Sequence, residues 1–253
     1  MKKVLIILTI LFLNFAYAQE KDLVFAYSQK DLVLYDGIIA YNKKDYANAV
    51  KYFKQACNLN EGKGCYNLGL MYENGDGLKK DIFKAVEFYR KTCDLNISDG
   101  CNQLGILYED GLGVKKDNFK AAKFYKRGCD LGSETDCVNL GFMYQNGYGV
   151  KKDNFKAVEL YQKACSLNEG LACSNLGFMY HNGYGVKKDN FKAVELYVKA
   201  CNLNEGSGCF NLGVAYIYGI GVRKDTSKAL EYFGKACDLK YDKGCENYAR
   251  LKQ

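Results

Sequence analysis

The sequence predicts an all-α fold, a right-handed superhelical solenoid of αα-hairpin repeats, and three observations predict it. Twelve cysteines recur as six pairs on a 36-residue clock. Cys57, Cys93, Cys129, Cys165, Cys201 and Cys237 each have a partner eight positions on, at Cys65, Cys101, Cys137, Cys173, Cys209 and Cys245. A fixed period of this length is the signature of one supersecondary unit stacked on copies of itself. Inside each period, two runs of apolar residues at helical spacing are separated by a pair of glycines. Proline and low-complexity tracts are absent, so no linker interrupts the array.

The elements follow in chain order. Lys2 and Lys3 open a segment that is apolar from Val4 to Phe15 apart from Thr9 and Asn14, and Ala16-Tyr17-Ala18 closes it with a small-x-small pattern. Residues 1–18 therefore read as a secretory signal peptide cleaved before Gln19, too short for a stable membrane span. The segment holds no cysteine for a lipid anchor, and no later stretch is apolar enough to cross a bilayer. A secreted or periplasmic chain is the expectation. Residues 19–253 read as a single repeat solenoid. Its first hairpin, 22–57, is atypical: Gly37 to Ala49 spans 12 positions where Gly69 to Ala85 spans 16. Repeats at 65–93, 101–129, 137–165, 173–201 and 209–237 follow, and 245–253 forms a capping helix. Atypical ends are what a solenoid needs to close its exposed core.

One repeat shows the logic of all. Leu68, Gly69 and Tyr72 recur every 36 residues and mark one face of a first helix, helix A. A glycine inside a helix costs about 1 kcal/mol against alanine, so Gly69 marks a close approach, expected from Ala85 of the second helix. Gly75 and Gly77 stop helix A, and Asp81 opens helix B as its N-cap, a role repeated by Asp117, Asp153, Asp189 and Asp225. Ala85, Phe88 and Tyr89 form the buried stripe of helix B. Helix B is expected to end at Cys93, with a loop containing Gly100 leading to Cys101 in the next helix A.

Two cysteine pairings are sterically open. Pairing within a hairpin (Cys65 with Cys93) strands Cys57 and Cys245 at the ends, whereas pairing across the connector (Cys57 with Cys65) uses all twelve. The second is favoured for an exported chain. Each such bridge removes chain entropy worth about 2.5 kcal/mol. Zinc would need closer cysteine spacing and histidines, and the chain has a single histidine, so no metal or cofactor is expected.

Charge excludes little. The whole chain carries 36 − 29 = +7, and without Lys2 and Lys3 the balance is 34 − 29 = +5. That is mildly basic, and an exported solenoid has little occasion to meet nucleic acid.

Residues 175–201, NLGFMYHNGYGVKKDNFKAVELYVKAC, carry a resemblance that covers nearly the whole expected mature chain. They match the Sel-one-like repeat, a relative of the tetratricopeptide repeat. With seven residues between the cysteines of each pair, the chain resembles the secreted Helicobacter cysteine-rich protein family. The resemblance implies an α/α superhelix with one disulfide per repeat, and binding and slow hydrolysis of β-lactams. It also implies roles in cell-wall chemistry or contact with a host or envelope protein.

The residues do not supply the usual lactamase chemistry. Ser-x-x-Lys is missing: Ser28, Ser98 and Ser227 are followed three positions on by Asp31, Cys101 and Leu230. Ser98-Asp99-Gly100 resembles a second lactamase motif but falls in a connector. His181 is alone, in the slot of Glu73, Glu109 and Gln145, and reads as an exposed surface residue. Glu87, Glu159, Glu195 and Glu231 lie three residues after lysines and read as a solvated salt-bridge face. No catalytic residue is assigned.

Binding is better provided for. With positions 68, 69 and 72 in the core, positions 67, 70, 71 and 74 of helix A face the groove. Position 67 is Asn67, Gln103, Asn139, Asn175 and Asn211, and position 74 includes Asn74, Asn146 and Asn182. Amides carry donors and an acceptor, so a ladder of them suits the backbone of an extended peptide or a peptidoglycan fragment. The competing reading is that position 67 bonds neighbouring backbone and position 74 caps helix A. Lysine pairs (Lys79-Lys80 and its repeats) offer a second stripe for anionic glycans, or simply suit the end of helix A.

Overall fold

The computed structural model describes residues 29–252. The signal peptide expected at 1–18 and the start of the hairpin expected from residue 22 lie outside the described residues. Among these there are thirteen helices and no strand. The chain forms two compact units, divided between Ile97 and Ser98. The first holds α1 (Gln29–Asn42), α2 (Tyr46–Asn58), α3 (Gly62–Asn74) and α4 (Ile82–Asp94). The second holds α5 (Ser98–Asp110), α6 (Asn118–Asp130), α7 (Glu134–Asn146), α8 (Asn154–Ser166), α9 (Gly170–Asn182), α10 (Asn190–Asn202), α11 (Gly206–Tyr218), α12 (Thr226–Asp238) and α13 (Asp242–Lys252). Within each unit successive helices pack as hairpins and each hairpin packs on the next. The fold class is the all-α repeat solenoid that the cysteine clock predicts.

The loop from helix A to helix B follows from its glycines and aspartate. Gly75 and Gly77 take φ of 87° and 67°, which a side chain resists, and Gly75 caps the end of α3. Asp81 then accepts from Lys84 N at 3.1 Å and caps the start of α4, while its own N–H returns to Tyr72 O at 2.8 Å. Asp117, Asp153, Asp189 and Asp225 repeat the cap at 2.9–3.1 Å.

The connector from helix B to helix A is shorter than the sequence suggests. Helix α3 begins at Gly62, three residues before Cys65, and Gly100, expected in a loop, lies inside α5. Asn60 supplies the reversal with φ of 59°, a left-handed conformation that asparagine tolerates. Glu61 follows at once as N-cap, accepting from Lys63 N at 3.4 Å. Asn96, Asn168 and Asn204 repeat the reversal.

Helix A is buried more broadly than one stripe. Met71, Leu107, Met143 and Met179, at the position expected to face the groove, are at most 1 % exposed. The expectation fails because a solenoid helix has neighbours on two sides; Met71, for example, packs with Ala40, Ala49 and Phe53 of the preceding hairpin. The close approach at Gly69 also has a different partner. A Cβ there would lie 2.6 Å from the ring of Tyr89, and one at Gly141 would lie 2.8 Å from that of Tyr161. The tyrosine one turn beyond Ala85, not Ala85 itself, fills the space. These phenols are buried and need acceptors: Tyr89 donates to Glu73 at 2.5 Å, Tyr125 to Glu109 at 2.9 Å and Tyr161 to Gln145 at 2.8 Å. Burial pushes all three phenol pKa values up.

All twelve cysteines are disulfide-bonded. Cys57–Cys65, Cys129–Cys137, Cys165–Cys173, Cys201–Cys209 and Cys237–Cys245 pair across the connectors, with Cα atoms 4.4–4.7 Å apart. Cys93 and Cys101 are bonded too, and no described cysteine is free. Lysines brace the same junctions. Nζ of Lys91, Lys163 and Lys199 donates to the carbonyl of Cys57, Cys129 and Cys165 at 2.7–2.8 Å, stopping the end of the preceding helix B.

Candidate functional site

Helix A positions its face by burying residues 65, 68, 69 and 71 of each repeat, which leaves positions 67, 70 and 74 at the rim of the core. In the first unit these positions line a cavity of about 190 Å³. Ile38 and Tyr41 of α1 form one wall, Asn67, Leu70 and Asn74 of α3 the other, and Phe53 of α2 the floor. Tyr41 donates to Asp76 at 3.0 Å, which holds its ring over the cavity mouth and pushes its phenol pKa up.

In the second unit the same face carries aromatic pairs. Phe142 on α7 and Phe178 on α9 are 47 % and 42 % exposed. Each meets a loop tyrosine edge-on, Tyr148 at 5.8 Å and Tyr184 at 6.0 Å between ring centres. These loop tyrosines escaped the sequence reading, although their six-residue offset from Phe142 and Phe178 was a repeated signal.

The amides divide by use. Asn67, Asn139 and Asn175 are half-buried and make no side-chain hydrogen bond among the described residues. Asn211 donates to Ser174 Oγ at 3.4 Å, beside a 2.8 Å bond from Ser207 to the same oxygen, so it ties α11 to α9. Gln103 also has an intramolecular partner. At position 74, Asn146 and Asn182 donate to Phe142 O and Phe178 O at 2.9 and 2.8 Å and close the ends of their own helices. Asn74 leans on Asp76 at 3.4 Å and still lines the cavity. Position 67 is therefore the one with amides to spare.

Groups of catalytic type are placed structurally. His181 is half-buried rather than exposed, its Nδ1 3.0 Å from Asn190 Oδ1. Lys84 and Lys156 approach the N-cap carboxylates of Asp81 and Asp153 instead of the glutamates expected to pair with them, as Lys120 approaches Asp117; Lys192–Glu195, at 3.1 Å, is the expected kind. Asp136 is buried, and burial pushes its carboxyl up to about 6. Ser133 caps the start of α7, its Oγ accepting from Asp136 N at 3.1 Å, and the Asp136 carboxylate accepts from Asn102 at 2.7 Å. Among the described residues no three of His, Cys, Asp and Glu converge as a metal would require.

Comparison with known proteins agrees with this picture. The Sel1 repeat pattern matches residues 33–61, 62–97, 98–133, 137–169, 170–205 and 206–241. HcpC of Helicobacter pylori is 46 % identical over 43 residues, 17 % of this chain and 15 % of that protein. Beta-lactamase HcpA of the same species is 48 % identical over 42 residues, 17 % of each chain. The matches thus span about a sixth of these curated relatives. Among solved structures, c5321, a protective antigen of uropathogenic Escherichia coli with an SLR fold, has a TM-score of 0.74 at 29 % identity over 81 % of this chain and 44 % of that one. A Sel1 repeat protein from Oxalobacter formigenes has a TM-score of 0.81 at 23 % identity over 87 % and 88 %. The chain is similar to the cysteine-rich Helicobacter proteins and, with six matched segments covering most of its length, belongs to the Sel1 repeat family.

Proposed function

We propose that this chain is an exported interaction scaffold whose helix A face binds an extended peptide, or a peptide-bearing fragment of cell wall. The observation that carries the reading is the row of amides at position 67. Asn139 and Asn175 occupy equivalent places on α7 and α9, retain unused donors and acceptors, and sit next to the exposed rings of Phe142 and Phe178. An extended backbone offers alternating donors and acceptors to such amides, and its apolar side chains find the Phe142–Tyr148 and Phe178–Tyr184 pairs. Asn67 beside the 190 Å³ cavity gives the first unit an equivalent place for one apolar side chain. Twelve oxidised cysteines fit a compartment outside the cytosol.

The experiment is a titration of the purified oxidised chain with an extended-peptide library and with muropeptides. Asn139→Ala together with Asn175→Ala should weaken binding by about 10-fold to 100-fold, since each lost amide pairing is worth about 1 kcal/mol. Unchanged affinity in the double variant sinks the reading. The relatives' name makes nitrocefin turnover the companion measurement. Turnover above background that the same variant abolishes moves the function to β-lactam hydrolysis, for which the described residues assemble no nucleophile and base.

A further inference from the structure

The second unit has another surface, along the edge where its B helices begin. Phe119, Phe155 and Phe191 stand there as second residues of α6, α8 and α10, 56 %, 72 % and 75 % exposed. Single exposed apolar side chains are ordinary, but a phenylalanine repeated at this exposure is not. Packing does not demand it, because the first and last hairpins have Ala47 and Ser227 at this position.

The loops bring cations to these rings. Gly149 and Gly185 sit so close to the backbone of Asn118 and Asn154 that neither has room for a Cβ. That contact seats each loop on the start of the preceding helix B. Lys151 and Lys152 consequently share an open concavity of about 900 Å³ with Phe119 and Phe155. Lys187 and Lys188 share one of about 850 Å³ with Phe191. All four lysines are exposed and make no ion pair among the described residues. The nearby carboxylates are committed: Asp117 and Asp153 cap their helices and lie 3.6 and 3.9 Å from Lys120 and Lys156.

We propose that this edge docks on an anionic lipid bilayer. The phenylalanines enter the boundary between headgroups and acyl chains, and the lysine pairs face the headgroup phosphates. A bilayer accepts a row of protruding rings without offering a complementary pocket, and the unpaired cations make the acidic surface the favoured one. A glycan would instead need exposed acceptors for its hydroxyls; Asp117, Asp153 and Asp189 each cap a helix and the unpartnered Asn154 Oδ1 is buried, so what this edge chiefly exposes is rings and cations. The surface adjoins the peptide face at the loops but shares none of its named side chains, so its fate does not depend on that reading.

The test is co-sedimentation of the oxidised chain with phosphatidylglycerol–phosphatidylcholine vesicles and with pure phosphatidylcholine vesicles. Preference for the anionic vesicles, loss of binding in high salt and a drop of more than about 10-fold in Phe119→Ser/Phe155→Ser/Phe191→Ser are expected. Neutralising Lys151, Lys152, Lys187 and Lys188 should cost about five-fold per lysine. Asn139→Ala/Asn175→Ala should bind vesicles like the parent, and circular dichroism should show the serine variant folded, as Ser227 in its own repeat leads one to expect. Equal binding to neutral vesicles, or none to anionic ones, overturns the proposal. Retention on an anionic polysaccharide without vesicle binding overturns it in favour of a glycan. A dimer in solution that the serine variant dissociates overturns it in favour of a second copy.

Discussion

At the residue scale, the tyrosines opposite the helix A glycines and the buried Asp136 are the positions where chemistry is most constrained. Gly141→Ala gains about 1 kcal/mol of helix propensity but places a Cβ 2.8 Å from the Tyr161 ring, in a core where overpacking costs about 1–3 kcal/mol. The variant should be less stable in urea by up to about 2 kcal/mol; a gain in stability would show that the ring can move aside. Asp136 predicts an unusual pH profile. Its folded carboxyl, raised to about 6 by burial, holds its proton more tightly than the unfolded one does. The Asp99 carboxylate adds to the rise, while Asn102 and Ser133 oppose it. Below the ordinary carboxylate range both states are protonated and nothing is lost. As pH climbs from the ordinary carboxylate range to about 6 the folded state progressively surrenders its advantage, on the order of 3 kcal/mol in all for a shift of about two units. The parent should therefore melt at a higher temperature at pH 5 than at pH 7.5, and Asp136→Asn should flatten that difference. A parent with no such slope would show that Asp136 is better solvated than its burial implies.

At the scale of elements, the Cys57–Cys65 and Cys165–Cys173 junctions are each held by three devices: a left-handed asparagine, a disulfide and a lysine on the preceding helix end. Replacing Cys165 and Cys173 by serine should cost about 2.5 kcal/mol in the chain-entropy picture, measured by urea unfolding at matched pH. Lys199→Met keeps the stem but leaves the Cys165 carbonyl without its ammonium, and should cost about 1–2 kcal/mol; no change would mean that water replaces it freely. The glycine loops, aspartate caps and connector disulfides were legible in the sequence because each rests on a residue type with a single strong local preference. The start of helix A was not, since glycines at its head, Gly100 and its counterpart Gly64, read as loop. They are there for packing: a Cβ on Gly64 would lie 2.6 Å from that of Ala56. The lysine brace was hidden for a related reason. Its partner is a backbone carbonyl 34 positions away, and no side-chain pattern announces a carbonyl.

For the whole molecule, oxidation and stability are coupled. Short helix pairs bury little alone, so an array with every cysteine oxidised should lose tens of degrees of melting temperature in dithiothreitol, and an unchanged melt would make the bridges ornamental. The candidate face was only partly legible. Periodicity found the position 67 amides and the aromatic position 70, but it could not distinguish Asn139 and Asn175, which are unused, from Asn211, which Ser174 occupies. Ser174 belongs to one repeat and has no counterpart elsewhere, so the distinction lies outside any repeated pattern.

The fit between Gly128 and Asp136 bears on how such an array can grow. Any Cβ at Gly128 would collide with the Asp136 carboxylate, whereas one period later the same two places hold Ala164 and Ala172. The compensating residues lie in consecutive repeats, on either side of a disulfide-closed connector. Tandem duplication of residues 134–169 would set a second copy of Asp136 against Ala164, where a methyl group fills the space that Gly128 leaves empty. The heritable unit that can be copied here without a clash is a junction with a half-repeat on each side, so new members should be gained by breaks within hairpins and not between them.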